Sequence, residues 1–319
     1  MLLKQMEGSV SELAVKPSVN ESDSVAPGLT RRIVSYFDHE FIQPSLNKVE
    51  RDVDEMTEAG FTNVVLCITE KDIASQSRLD FLTDTVGHMK DCGLEVWADP
   101  WSVGSVFGGE AGSSFKDDGE KRCMCNPKLD TLIRHWLDAS ASTGIDTVFW
   151  DEPEMKDCRK HRSGEVKFIE KYTAAAGKRA LKSVVCLCAD YSKMHQFAQV
   201  ANLPDVTEIA TDPYFPYPFR YPKIPEDMHL EHIEKWADFT RATAEQAGID
   251  WHIWVQTFGI PNGRESMVDE HIDTLRARGV GSIAVWGFHG CESVPGFAKE
   301  TDASPDIMWR RITNTLARS

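Results

Sequence analysis

From Arg31 onward, short runs rich in β-branched and aromatic residues alternate with longer segments whose apolar positions recur at helical spacing. That is the pattern of a parallel sheet joined by crossover helices. The strand runs are Ile33–Phe37, Asn63–Thr69, Leu94–Ala98, Thr147–Trp150, Ser183–Ala189, Val206–Thr211, His252–Thr257 and Ser282–Gly287, each of barrel-strand length. The helices carry readable boundaries. Pro44 and Ser45 open a stripe of Leu46, Val49, Val53 and Met56 that stops at Gly60. Pro127 precedes Leu129, Leu132, Ile133 and Trp136 before Gly144, and Ser304 with Pro305 caps a closing helix. Eight repeats of strand then helix over residues 31–319 predict an α/β chain with a single closed (β/α)8 TIM barrel. An open doubly wound sheet is the alternative, but no Gly-x-Gly-x-x-Gly follows a strand and no Walker loop occurs.

Residues 1–30 show no sustained periodicity and contain Pro17, Asn20 and Pro27. They read as a short irregular arm, flexible or docking a partner. The 35 Lys and Arg against 50 Asp and Glu leave a net charge of −15, which argues against nucleic acid or an anionic membrane as partner. No apolar run reaches the roughly 18 to 20 residues of a membrane helix, and the start lacks the apolar stretch of a signal peptide. The expected compartment is the cytoplasm, and a homo-oligomer is compatible with the sequence. Eight cysteines in 319 residues are too few for a disulfide framework, and Cys67, Cys186 and Cys188 lie in apolar strand runs where a thiol behaves as a small core hydrophobe.

A barrel builds its site at the C-terminal ends of its strands. The residues found there are Asp38 with His39, Glu70, Asp99-Pro100-Trp101, Asp151-Glu152-Pro153, Asp190-Tyr191, Asp212-Pro213-Tyr214, Gln256 with Phe258, and Trp286 with His289 and Glu292. Asp caps turns and Pro stops strands, which accounts for part of this set. Capping does not account for the flanking Trp and Tyr, nor for Glu152 behind Asp151. A ring of carboxylates walled by aromatics is what a sugar site needs: ring faces stack on aromatics, hydroxyls bond carboxylates, and two carboxyls work across the glycosidic bond.

On these residues the chain, from about Arg31 to its end, resembles the broad class of (β/α)8 glycoside hydrolases. In their largest clan the fourth strand ends in Asn-Glu-Pro with Glu as acid/base; here Glu152 and Pro153 match and Asp151 replaces Asn. A Trp after strand eight is matched by Trp286. The clan's nucleophile, a Glu ending strand seven, is replaced by Gln256, and a neutral amide cannot be a covalent nucleophile. Two other patterns of the class fit better: a carboxylate pair from strands four and six, and the adjacent Asp-Glu of substrate-assisted hexosaminidases, which Asp151-Glu152 is similar to. The resemblance implies a carbohydrate substrate, hydrolysis of an oligosaccharide or small glycoside without a required cofactor, and catalytic roles for Glu152, Asp212 and Asp151. Glu152, its pKa raised by Trp150 and neighbouring carboxylates, would protonate the glycosidic oxygen while Asp212 works from the opposite face. Because strand residues alternate in and out, Asp151 and Glu152 are not expected to project alike. Asp38, Asp99, Trp101, Asp190, Tyr214, Gln256 and Trp286 are the expected substrate-binding residues.

Cys123 and Cys125 in the loop after strand three, with Cys158 and His161 in the loop after strand four, could hold a structural zinc. Two further function classes stay open. One is a sugar isomerase or epimerase in which Glu152, Asp190, Asp212 and a His hold Mg²⁺ or Mn²⁺. The other is an inactive sugar-binding barrel, motivated by Gln256.

Overall fold

The computed structural model describes residues 28–37, 45–109, 113–115, 126–153, 164–214, 228–288 and 303–318. The chain runs β1 (Arg31–Tyr36), α1 (Leu46–Glu58), β2 (Asn63–Cys67), α2 (Gln76–Asp91), β3 (Glu95–Asp99), α3 (Pro127–Ser142), β4 (Thr147–Asp151) and α4 (Glu165–Gly177). It continues β5 (Lys182–Leu187), α5 (Met194–Ala201), β6 (Glu208–Thr211), α6 (His229–Ala247), β7 (Asp250–Val255), α7 (Ser266–Ala277), β8 (Ser282–Val285) and α8 (Pro305–Leu316). The strands pair in parallel in sequence order and β8 closes on β1, so the sheet is the expected closed barrel. Among the described residues, no helix is long and apolar enough to cross a membrane.

The helix stripes pack as their spacing predicts. Val49, Val53 and Met56 of α1 are buried, as are Leu129, Ile133 and Trp136 of α3 and Met308, Trp309 and Ile312 of α8. Asn126 caps α3, its side chain accepting from the Lys128 N–H. Leu46 is the exception: at the first position of α1 it is 38% exposed, above the sheet rather than against it. Of the N-terminal arm, residues 1–27 lie outside the described residues. Leu29 is buried and the Thr30 N–H donates to the Gly281 carbonyl, so the barrel begins just before β1.

Three strand ends differ from the hydrophobic runs. β5, β7 and β8 leave the ladder at Leu187, Val255 and Val285, although the apolar runs continue to Ala189, Thr257 and Gly287. Residues beyond each strand still pack into the barrel mouth, so hydrophobicity outlasts the hydrogen bonds; Gln256, Phe258 and Trp286 are all nearly fully buried.

Alternation sorts every strand into two faces. Outward residues such as Val34, Leu66, Val96, Val148 and Trp150 join the helices in the main core, while Ile33, Val65, Trp97, Phe149, Val184, Ala210, Trp254 and Ala284 fill the barrel interior. At the N-terminal end the interior is polar but satisfied. Arg31 forks onto both oxygens of Glu208 at 2.7 Å each, and His252 Nδ1 donates to Glu208 Oε1 at 2.6 Å. Above this lies an aromatic layer in which Phe149 and Trp254 rings are 5.1 Å apart. The interior is therefore a plugged core, and only its C-terminal mouth is left for chemistry. Glu208→Ala would strand the Arg31 and His252 donors in that core and is expected to cost about 3–5 kcal/mol, read by urea unfolding; a loss under about 1 kcal/mol would show the pair to be dispensable.

Candidate active site

The mouth is built by the last inward position of each strand. On β2 and β3, Cys67 and Asp99 stand in register, and Cys67 Sγ donates to Asp99 Oδ2 at 3.3 Å. On β4 and β5, Asp151 stands beside Cys186. On β6 the inward series through Ala210 reaches Asp212, with Tyr214 beyond it, and on β7 the series His252, Trp254 reaches Gln256. Three of the expected residues are thus delivered by the period of two alone.

Glu152 arrives by another route. As the neighbour of inward-facing Asp151, it should point out; instead its φ is +37°, in the left-handed region that a residue with a Cβ rarely enters. The twist brings its carboxylate back over the mouth, where carboxylate oxygens of Glu152 and Asp212 and the Cys188 sulfur all lie within 4.8 Å of one another. Glu152 and Asp212 are hydrogen-bonded to each other. Asp151 and Glu152 therefore both face the site, against the expectation from strict alternation.

The electrostatics follow from burial. Asp99 is fully buried, and burial holds its carboxyl well above the usual carboxylate range against the opposing Cys67 hydrogen bond. Burial, then the charges of Asp99 and Glu152, do the same to Asp151. Burial, then the charges of Glu152 and Asp151, do the same to Asp212. Tyr214 is pushed up by burial and then by Asp212. Such a group of mutually opposed carboxyls retains protons at pH values where isolated carboxyls have lost them.

The aromatic residues divide. Trp101 and Trp286 line the mouth and are nearly buried, Trp101 edge-on to Phe37 at 4.8 Å and Trp286 beside Trp254 at 5.8 Å. Tyr214 meets Phe258 edge-to-face at 5.2 Å. Trp150, expected to raise the Glu152 pKa, does not face the site: as an outward residue of β4 it packs on Phe107 and Trp136 under the helices. The Gln256 amide donates to the Phe258 carbonyl at 3.0 Å, and its buried Oε1 has no hydrogen-bond partner.

Asp190 is not brought to the site. β5 has already ended at Leu187, and Asp190 Oδ1 caps the following turn, accepting from the Ser192 N–H at 2.9 Å and hydroxyl at 2.7 Å. The place over the mouth that follows β5 belongs to Cys188. Reading this thiol as core was an error caused by its apolar surroundings; it is half-buried, whereas Cys67 and Cys186 are buried as expected. Glu70 works as an anchor, accepting from the Gly104 N–H, the Ser113 hydroxyl and the Ser114 N–H to hold the loop after β3. Asp38, His39, His289 and Glu292, and the zinc candidates Cys123, Cys125, Cys158 and His161, lie outside the described residues.

That same loop touches the β4 end. The Gly108 N–H donates to the Asp151 carbonyl at 2.9 Å, and φ at Gly108 is +52°. A Cβ here would overlap Asp151 Oδ2 and the Trp101 ring, so only glycine allows the loop to approach so closely. Gly108→Ala is expected to cost about 1–3 kcal/mol and, by displacing Asp151, to lower turnover by about 10- to 100-fold. Thermal unfolding and kinetics on the same preparation check this; unchanged values would mean the loop yields without moving the carboxyl.

No protein-family model matches the chain, and no curated protein matches it. Solved structures do. A structure described as GH5_18 from Streptomyces cattleya in complex with GlcNAc is 13% identical with a TM-score of 0.67, covering 92% of this chain and 81% of that one. An endo-1,4-beta-D-mannanase from Thermotoga petrophila is 10% identical with a TM-score of 0.58, covering 92% and 99%. A D-allulose 3-epimerase from Methylomonas sp. is 12% identical with a TM-score of 0.54, covering 93% and 100%. At these identities the likeness shows the barrel fold, and the chemistry has to be argued from the site.

Proposed function

We propose that the chain is a glycoside hydrolase in which Glu152 is the general acid and Asp212 the second carboxylate. The observation that carries this is the left-handed Glu152 held against Asp212 at the barrel mouth, since a strained backbone that places one carboxyl on another has no packing purpose. A hydrogen-bonded carboxyl pair shares one proton, which supplies an acid and a base together. With oxygens within 4.8 Å, the pair falls near the roughly 5–5.5 Å spacing of retaining enzymes rather than the wider spacing that admits a water.

Glu152 gives its proton to the glycosidic oxygen as an Asp212 oxygen bonds the anomeric carbon, and the leaving group departs as an alcohol. The Glu152 carboxylate then takes a proton from water, whose oxygen displaces Asp212 and restores both groups. Asp151 and Asp99 bind hydroxyls beside them, Gln256 offers its unpartnered Oε1 to another, and Trp101, Trp286 and Tyr214 wall the sugar. Gln256 causes no difficulty in this arrangement, because the nucleophile comes from β6 instead of β7. The fold neighbours include glycoside hydrolases, which supports the reading, and sugar epimerases, which keep the metal-dependent alternative in view.

Purified protein assayed on chromogenic α- and β-glycosides, N-acetylhexosaminides included, tests the proposal. Cleavage of at least one glycoside that survives EDTA is expected. Absence of any cleavage, or turnover abolished by EDTA, would overturn it, the latter in favour of a metal-dependent isomerase.

A further inference from the structure

The mouth holds more negative charge than hydrolysis alone explains. Three buried carboxyls, Asp99, Asp151 and Asp212, stand with Glu152 in one ring, and among the described residues none of the groups acting on the first three is a cation. Asp99 is fully buried, yet its Oδ1 has no hydrogen-bond partner, and Asp212 Oδ1 is likewise buried without one. Buried acceptors facing one another without a donor are what a bound cation satisfies. Into this ring β5 brings a sulfur, and the donor atoms of Cys188, Glu152 and Asp212 converge to within 4.8 Å of one another.

The donor set decides the kind of ion. Two donors on one zinc-class ion stand no further apart than about twice the bond length, roughly 4.0–4.6 Å for bonds of about 2.0–2.3 Å. The observed convergence needs adjustments of at most a few tenths of an ångström. A thiolate with two carboxylates selects a borderline-soft ion over Mg²⁺ or Ca²⁺, which take all-oxygen shells. We propose that Cys188, Glu152 and Asp212 form a binding site for one thiophilic divalent cation of the zinc class, with a fourth position open to water or Asp151. Binding releases the Cys188 thiol proton to solvent and occupies both carboxylates assigned to hydrolysis, so the ion acts as an inhibitor of that chemistry.

Cobalt(II) tests the site, because a thiolate bound to Co²⁺ gives a sulfur-to-metal charge-transfer band in the near ultraviolet. Titrating the EDTA-stripped, reduced full chain with Co²⁺ should raise this band with saturation near one ion per chain beyond any background, and Zn²⁺ should remove it. Cys188→Ser should delete that increment and weaken Co²⁺ binding by at least about 10-fold. Asp212→Asn should keep the band and weaken binding, and Asp190→Asn should change neither. A band that persists unchanged in Cys188→Ser, or no band in the wild type, would overturn the proposal. Should Cys188→Ser fail to fold by circular dichroism, the Asp212→Asn and Asp190→Asn pair decides, equal affinities counting against the site. The titration contains no substrate, so it reads the metal site even if no glycoside is ever cleaved.

Discussion

Asp212→Asn is expected to lower turnover of the cleaved glycoside by about 10³-fold or more while raising the melting temperature at pH 7. The two effects share one cause. Burial and the charges of Glu152 and Asp151 hold the Asp212 carboxyl well above its usual range. A group whose folded pKa is raised contributes stability that is present below its unfolded pKa, about 3.9, and lost as pH rises through the folded value. At neutral pH the ionised Asp212 therefore works against the fold. The neutral amide removes that cost, and gains of about 0.5–2 kcal/mol are usual when a strained functional group is relieved, a shift of a few degrees in a chain of this size. Near pH 4 the carboxyl is protonated in both states and the advantage of Asn should shrink toward zero. Thermal unfolding of both proteins at pH 4 and pH 7, beside kinetics at pH 7, checks each part. A melting temperature lowered by Asn at pH 7 would mean that Asp212 serves the fold, and the proposed tension at the mouth would be absent.

The barrel was legible because its information is local and periodic. Strands of period two and helices of period 3.6, punctuated by Pro44, Gly60, Pro127 and Gly144, specify which residues face the sheet, and closure follows from eight of them. The acidic ring was legible for the same reason: Asp99, Asp151 and Asp212 occupy inward positions at strand ends, where period and fold class together place them. The failures are also physical. Asp190 follows an apolar run that outlasts its strand, so the ladder ends at Leu187 and the residue becomes a turn cap. Cys188 sits in that same overrun, where hydrophobic company concealed a thiol turned toward carboxylates. Trp150 was placed beside Glu152 by adjacency, although alternation sends it to the other face of β4. A left-handed φ at a glutamate has no composition signal, so the feature that brings Glu152 to Asp212 is visible only in three dimensions. Gly108 could have been found only by knowing which loop crosses the β4 end.

Glu152→Gln is the second change of large expected effect. Gln keeps the shape and much of the hydrogen bonding of Glu, so the fold should survive, but it holds no acidic proton. Proton donation by a positioned acid is worth about 10²–10⁴-fold, and its value depends on the leaving group. An alkoxide leaving group needs the proton; an activated phenolate departs without it. A residue that only shapes the pocket would slow both substrates alike. The decisive measurement is therefore kcat/KM of wild type and Glu152→Gln on two glycosides of the same sugar, one with a sugar or alkyl leaving group and one with a dinitrophenyl leaving group. A loss of about 10³-fold or more on the first, against a loss of about 10-fold or less on the second, is the predicted result. Equal losses on both substrates, or none on either, would contradict Glu152 as the general acid.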